Sequence, residues 1–248
     1  MLNKKQLLLF NCAGLFAYIL SAYIGQWFLL PPSGVSPIWP PAGVALGLLL
    51  LYRNGMLPSI FLGSLIVQSS LLFNENPAEP LLTSLLLSCF ISLGVCLQAM
   101  LGSYLIKRFV GENNPLIKDF YIVKFLFLGA VTGSAIAPVF KTIVLLYIHA
   151  IDVSELFSIW AIEWLSYAIG ILIITPLMLI FFAQPRELWL KRRNYIVYPM
   201  IMLLCFVVLI FQYNKWEEDL RIKAVFHQKS SLLHDALSDE LNSHIYTN

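Results

Sequence analysis

Seven long runs of apolar residues constrain this chain more than any other feature. They lie at approximately residues 7–30, 35–52, 56–73, 81–106, 121–148, 157–182 and 195–213. A helix needs about 20 mostly apolar residues to cross a hydrocarbon core about 30 Å thick. The chain is also 59% hydrophobic and only 12% charged, against roughly a quarter charged in soluble domains. The sequence therefore predicts an all-α, polytopic membrane helix bundle of about seven spans and excludes a soluble fold.

Positive charges are distributed unevenly among the connections between these runs. Short cytoplasmic loops of membrane proteins are enriched in Lys and Arg. The connections at about residues 31–34, 74–80 and 150–156 contain no Lys or Arg. The other set of connections carries Lys4, Lys5, Arg53, Lys107, Arg108, Lys118, Arg186, Lys191, Arg192 and Arg193. This pattern predicts that the N-terminus lies inside and that the chain after residue 213 lies outside.

The tail, residues 214–248, differs in character from the rest of the chain. It contains no Gly or Pro, and apolar residues recur every four positions at Leu233, Leu237, Leu241 and Ile245. Such spacing predicts a helix with one apolar stripe, which needs a covering partner. We therefore expect an integral membrane domain at residues 1–213 and an extracytoplasmic helix at 214–248. That helix either begins an incomplete sensory domain or pairs with a second copy in a homodimer.

The outer end of the second run carries three prolines, Pro37, Pro40 and Pro41. A helix that begins near Pro40 and ends near Arg53 is only about 20 Å long, so the preceding residues must cross part of the membrane in another conformation. Irregular backbone at that depth must be buried in protein or line a water-filled cavity. This predicts a polar cavity or re-entrant segment around residues 36–39. The alternative is an interfacial loop with Trp39 at the membrane surface.

Two ionisable residues, Lys141 and Glu163, lie well inside the fifth and sixth runs. A charge at the centre of a membrane helix costs on the order of 3 kcal/mol and normally faces the bundle interior. Lys141 lies about seven residues before the outer end of its run, and Glu163 lies about seven residues after the outer start of the next. Consecutive antiparallel helices place such positions at similar depth. The spacing therefore predicts an ion pair at the floor of an outer cavity.

This pair has two alternative roles. It is either a structural clamp or part of a ligand site, in which further side chains would gather around it and Lys141 would stay partly accessible to an anionic ligand. The candidate site residues are Lys141, Glu163, Trp39, Pro40, Pro41, Ser36, Trp160 and Trp164.

Catalytic and metal-binding signatures are missing from the 248 residues. There is no Gly-rich phosphate loop, HExxH, GxSxG, kinase or cyclase motif. The four cysteines lie inside apolar runs and lack metal-ligand spacing. We therefore expect no enzymatic activity, no metal and no cofactor. A formal net charge of +2 also argues against a nucleic-acid partner.

Three stretches resemble a known family, the first type of membrane-associated sensor domain (MASE-type). The most specific is SPIWPPAGVALGLLLLYRNGMLPSIFLGSLIV at residues 36–67, in which the family pattern is matched by Ile38, Trp39, Pro40, Pro41, Gly43, Pro58 and Gly63. The second is WLSYAIGILIITPLML at residues 164–179, with matches at Trp164, Gly170 and Pro176. Here Ser166 and Tyr167 replace the family's usual Gly-Asp. In the third, residues 97–109, Gln98 stands where an acid is common.

The resemblance implies a sensory input module in the bacterial inner (plasma) membrane, as found in sensor histidine kinases and diguanylate cyclases. The output domain would lie outside this chain. The tail is similar to the opening helix of a CHASE domain, an extracytoplasmic sensory module. The partners implied are membrane lipid and an unidentified small-molecule or membrane-protein stimulus.

A small-solute transporter, or a transporter-like binding protein with an outward-facing cavity, is the alternative function. The broken second run and the intramembrane Lys and Glu fit it, because transporters use discontinuous helices at their sites. Such transporters usually have two similar halves, and no second proline-interrupted outer segment is visible. The sequence therefore favours the sensor.

Overall fold

The computed structural model of the chain describes residues 3–28, 36–75, 80–110, 124–183, 186, 197–209 and 213. Within these ranges the regular structure is helical and no strand occurs, so the predicted all-α fold is confirmed. The chain divides into two compact units, Met1–Leu204 and Cys205–Asn248. The tail predicted at residues 214–248 lies outside the described residues, and the boundary at residue 213 stays a prediction.

Six helices of the first unit build the bundle. They are α1 (Lys4–Gln26), α2 (Pro40–Tyr52), α3 (Leu57–Glu75), α4 (Leu81–Phe109), α5 (Ile136–Tyr147) and α6 (Leu156–Phe182). A 3₁₀ turn, Arg53–Met56, joins α2 to α3, and another, Val153–Glu155, precedes α6. Before α5 the chain forms a π-helical turn, Leu126–Thr132, and a 3₁₀ turn, Gly133–Ala135. A shorter apolar helix, α7, spans Val197–Leu209.

Five stretches of the described chain are long and apolar enough to cross a membrane. They are Lys4–Gln26, Pro40–Asn74, Leu81–Phe109, Phe127–Tyr147 and Val153–Phe182. The chain is therefore an integral membrane protein. The second stretch contains both α2 and α3, and α7 is shorter than the others. The count of seven spans and their orientation stay predictions.

Helices α2 and α3 form a hairpin against α1. A Cβ added at Gly25 of α1 would meet Pro40 at 3.0 Å, whereas one added at Gly55 would meet Leu7 at 2.9 Å. The chain thus runs along α1, returns along α2 and reverses at the Arg53–Met56 turn, where Arg53 has a φ of 63°. We call the two ends of the bundle the Trp39 end and the Gly55 end. The charge pattern predicts that these are outer and inner, respectively.

A polar side chain inside α1, Asn11, holds this reversal. Its amide nitrogen donates to the carbonyl oxygens of Leu7 and Gly55, both at 2.9 Å. Its side-chain oxygen accepts a hydrogen bond from the Ser59 backbone nitrogen at 3.2 Å. The bonds to Gly55 and Ser59 satisfy backbone groups at the turn and at the start of α3.

Helix α2 occupies the centre of the bundle, between α1, α4 and α6. Every residue from Pro40 to Leu49 is buried. Its contact with α6 is close because a Cβ at Gly43 would lie 2.3 Å from the Gly170 carbonyl oxygen, and Thr175 Oγ1 donates to the Gly43 carbonyl at 2.9 Å. Small residues allow this approach in a membrane, where lipid supplies no hydrophobic drive.

Candidate functional site

The structure brings Lys141 of α5 and Glu163 of α6 together. Lys141 Nζ donates to Glu163 Oε1 and forms an ion pair with it. The Glu163 side chain is 5% exposed and the Lys141 side chain is 21% exposed. The two helices follow each other around the short connection at residues 148–155, so their directions oppose and these positions meet. Each charge lowers the other's penalty for leaving water.

A small polar cavity, the Trp39 cavity, lies beside this pair at the Trp39 end. Its volume is about 30 Å³, room for one or two water molecules. Apolar side chains of α3, α4 and α5 form part of its wall. Its polar lining is Gln26, Ser36, Trp39, Gln68, Lys141, Glu163 and Ser166.

The segment at residues 36–39 is irregular and buried, as expected for backbone inside the bundle. Ser36 and Trp39 are 4% and 6% exposed, which argues against an interfacial loop. The Trp39 backbone nitrogen donates to the Ser166 carbonyl of α6 at 3.0 Å, and Ser36 Oγ donates to the Ile38 carbonyl at 2.7 Å. The first bond fixes the segment against α6, and the second is internal to the segment.

Two buried polar groups near the cavity have no hydrogen-bond partner among the described residues. These are Trp39 Nε1 and the Tyr167 hydroxyl. The two rings stack with centroids 6.2 Å apart, and Tyr167 lies one helical turn beyond Glu163. A buried donor left without a partner costs about 1–3 kcal/mol. Unpaired buried polar groups are rare in folded proteins, so these two groups mark the region around the cavity as a candidate site.

The prolines do not line the cavity. Pro40 and Pro41 form the first turn of α2, where proline costs no helical hydrogen bond. Pro40 packs against Gly25 of α1. Their contribution is to begin α2 directly after Trp39 and so to fix where that side chain lies.

Trp160 and Trp164 also lie away from the cavity, on another face of α6. Their rings stack on each other with centroids 5.7 Å apart. Trp164 Nε1 donates to the Val131 carbonyl at 2.8 Å, and Trp160 Nε1 donates to the Ala135 carbonyl at 3.4 Å. The two indoles therefore hold the irregular turns before α5. The structure does not gather them around Lys141 and Glu163.

The candidate list from the sequence omitted four polar residues at or beside the cavity: Gln26, Gln68, Ser166 and Tyr167. Gln68 lies inside an apolar run, a position that by itself indicates an interior-facing polar group. Ser166 and Tyr167 occupy the positions where the resemblance led us to expect Gly-Asp. Another departure, Gln98, has a structural role, because its Oε1 accepts from the Ala137 backbone nitrogen at 3.0 Å. Within the described ranges, no three His, Cys, Asp or Glu side chains could hold a metal ion.

Comparison with known proteins identifies the family. The MASE1 family model matches residues 8–214, which is most of the chain and includes all of the bundle helices except the first turn of α1, together with the Trp39 cavity. No curated protein and no solved structure matches the chain. The match covers far more than half of the sequence, and the all-helical, apolar bundle fits a membrane-embedded domain. The chain therefore belongs to the MASE1 family of membrane-associated sensor domains.

Proposed function

We propose that this chain is the signal-input module of a bacterial sensor protein and that the Trp39 cavity is its input site. The output would be a histidine kinase or diguanylate cyclase, reached through the last span and a CHASE-like tail domain. Family membership supports the sensory role. The observation that carries the site is the buried Lys141–Glu163 pair beside a polar cavity whose Trp39 indole nitrogen has no partner among the described residues.

The chemistry of the lining favours a small solute with an anionic group. Lys141 is the more exposed partner of the pair, so an incoming carboxylate or phosphate would compete with Glu163 for its ammonium group. Trp39 Nε1 would supply a neutral donor. The present cavity of about 30 Å³ is too small for such a solute, so binding requires a second, more open arrangement of α5, α6 and the 36–39 segment. A ligand shifts that equilibrium only by its difference in affinity for the two states.

Family membership favours this function over the transporter alternative. The irregular segment at residues 36–39 fits either function. A sensor needs only one accessible cavity and a change of state, whereas a transporter must expose its site to each side in turn.

The test combines folding and response in three variants of the full-length protein. Lys141→Met leaves Glu163 buried without its partner, so we expect the free energy of unfolding to fall by roughly 3–5 kcal/mol. The double variant, Lys141→Met with Glu163→Gln, removes both charges and should recover most of this loss. Lys5→Met is the control, because Lys5 is exposed and lies at the other end of the bundle.

The double variant separates an input site from a clamp. We expect it to fold and reach the membrane while its output activity no longer responds to the stimulus and small carboxylates no longer raise its unfolding temperature. Recovery of both folding and response would contradict the input site and leave the pair as a structural clamp.

A further inference from the structure

A second, larger concavity lies at the Gly55 end of the bundle, away from the Trp39 cavity. It is a groove of about 1020 Å³ between the Arg53–Met56 turn and one face of α4. Among the described residues that line it, three are cationic, namely Arg53, Lys107 and Arg108, and none is acidic. We call it the Arg108 groove. Its charge matches an anionic ligand.

The wall of the groove changes character along α4. Beyond the cations it is formed by Leu97, Met100 and Leu101, whose three- and four-residue spacing places them on one helical face. Leu97 is 48% exposed and Met100 is 39% exposed. From Leu97 to Arg108 the rise is about 16 Å, which is about half of a hydrocarbon core. The groove thus has a cationic end and an apolar wall whose length is about the thickness of one leaflet. These features match an amphiphile better than a free anion.

We propose that the Arg108 groove binds one anionic phospholipid of the adjacent leaflet. The phosphodiester would lie at Arg108, whose guanidinium group presents forked donors to phosphate oxygens, and Arg53 would add positive charge beside it. One acyl chain would lie along Leu97, Met100 and Leu101. Basic pockets between membrane helices at the cytoplasmic side recognise acidic headgroups in this way.

Lys107 has a supporting role. Its Nζ donates to the Leu49 carbonyl of α2 at 2.9 Å, so it contributes charge to the groove while binding the end of the central helix. The site does not depend on the proposed input cavity, which is built from different residues at the opposite end. Failure of one proposal leaves the other standing.

The test uses the full chain in phosphatidylcholine nanodiscs that contain a minor fraction of phosphatidylglycerol, with bound lipid measured by native mass spectrometry after detergent extraction. We expect phosphatidylglycerol to be retained in preference to phosphatidylcholine. Arg108→Gln should lower that retention about fivefold, the effect of one charge beside an anionic lipid, and Arg108→Lys should lower it less. Lys5→Gln, the same loss of charge at the same end but outside the groove, should leave it unchanged.

A second variant distinguishes binding of a whole phospholipid from binding of its phosphate group alone. Met100→Trp keeps every charge and fills the apolar half of the groove at a position that is already partly exposed, so it should fold and also lose phosphatidylglycerol. Inorganic phosphate at millimolar concentration should not displace the lipid. The proposal would be overturned if the protein retained the two lipids equally, or if Lys5→Gln lowered phosphatidylglycerol retention as much as Arg108→Gln. It would also be overturned if Met100→Trp retained as much phosphatidylglycerol as the unchanged chain, or if phosphate displaced the lipid.

Discussion

At the residue scale, the contact between Gly43 and Gly170 leaves no room for a methyl group. A Cβ at Gly170 would lie 2.1 Å from the Trp39 carbonyl oxygen, and the obstacle is backbone on a segment fixed to α6. We expect Gly170→Ala to lower the free energy of unfolding by about 1–3 kcal/mol or more, measured by thermal unfolding in nanodiscs. Gly102→Ala is the matched control, because its Cβ would meet the end of the Leu46 side chain at 3.2 Å and the nearest backbone atom, Gly133 Cα, at an ordinary 3.9 Å. Equal losses in the two variants would contradict this account of the crossing.

We expect Tyr→Phe substitutions at two fully buried tyrosines to change the free energy of unfolding in opposite directions. The Tyr167 hydroxyl has no partner among the described residues, whereas the Tyr18 hydroxyl is hydrogen-bonded to Ser64. Each ring is 1% exposed. Tyr167→Phe should therefore raise the free energy of unfolding by about 1 kcal/mol, and Tyr18→Phe should lower it by about the same amount. Chemical denaturation in mild detergent measures both, and a destabilised Tyr167→Phe would show that its hydroxyl is bonded in the membrane.

At the element scale, the π-helical turn at Leu126–Thr132 depends on α6. Its Val131 carbonyl accepts from Trp164 Nε1 at 2.8 Å, while the longer Trp160 bond reaches Ala135 at 3.4 Å. Trp164→Phe and Trp160→Phe remove the same ring area. The difference between their changes in unfolding free energy therefore measures the difference between the two hydrogen bonds. We expect Trp164→Phe to cost about 1 kcal/mol more in unfolding free energy and to speed amide exchange at residues 126–132. A larger loss of unfolding free energy for Trp160→Phe than for Trp164→Phe would contradict this account of the two hydrogen bonds.

Individual elements differ in how much of them the sequence predicts. The start of α2 at Pro40 was predictable because proline fits a first helical turn. The meeting of Lys141 with Glu163 was predictable from their spacing about one connection. The placement of Trp160 and Trp164 was not, because α6 is apolar all round and gives no periodicity to orient its faces. The π-helical turn and the Asn11 hydrogen bonds also could not be predicted from the sequence, because they depend on backbone geometry that the packing of the helices determines.

At the scale of the whole molecule, the charges in the connections predict the orientation in the membrane. We expect an alkaline phosphatase fused after Arg192 to be inactive and one fused after Asn248 to be active, because phosphatase needs an extracytoplasmic environment to fold. Fluorescent-protein fusions at the same two positions should give the complementary signals. An active phosphatase at Arg192 would show that the orientation is inverted or that the number of spans is wrong.

The burial of α2 also decides how the protein meets membranes of different thickness. Its thirteen residues extend about 20 Å, less than a hydrocarbon core about 30 Å thick. In contact with lipid, such a helix would suffer hydrophobic mismatch and draw the two leaflets together. Because residues Pro40 to Leu49 are covered by protein, acyl chains do not reach it. Bilayer thickness therefore acts on the lipid-facing sides of the helices around α2, namely α1, α4 and α6, and affects α2 only through them.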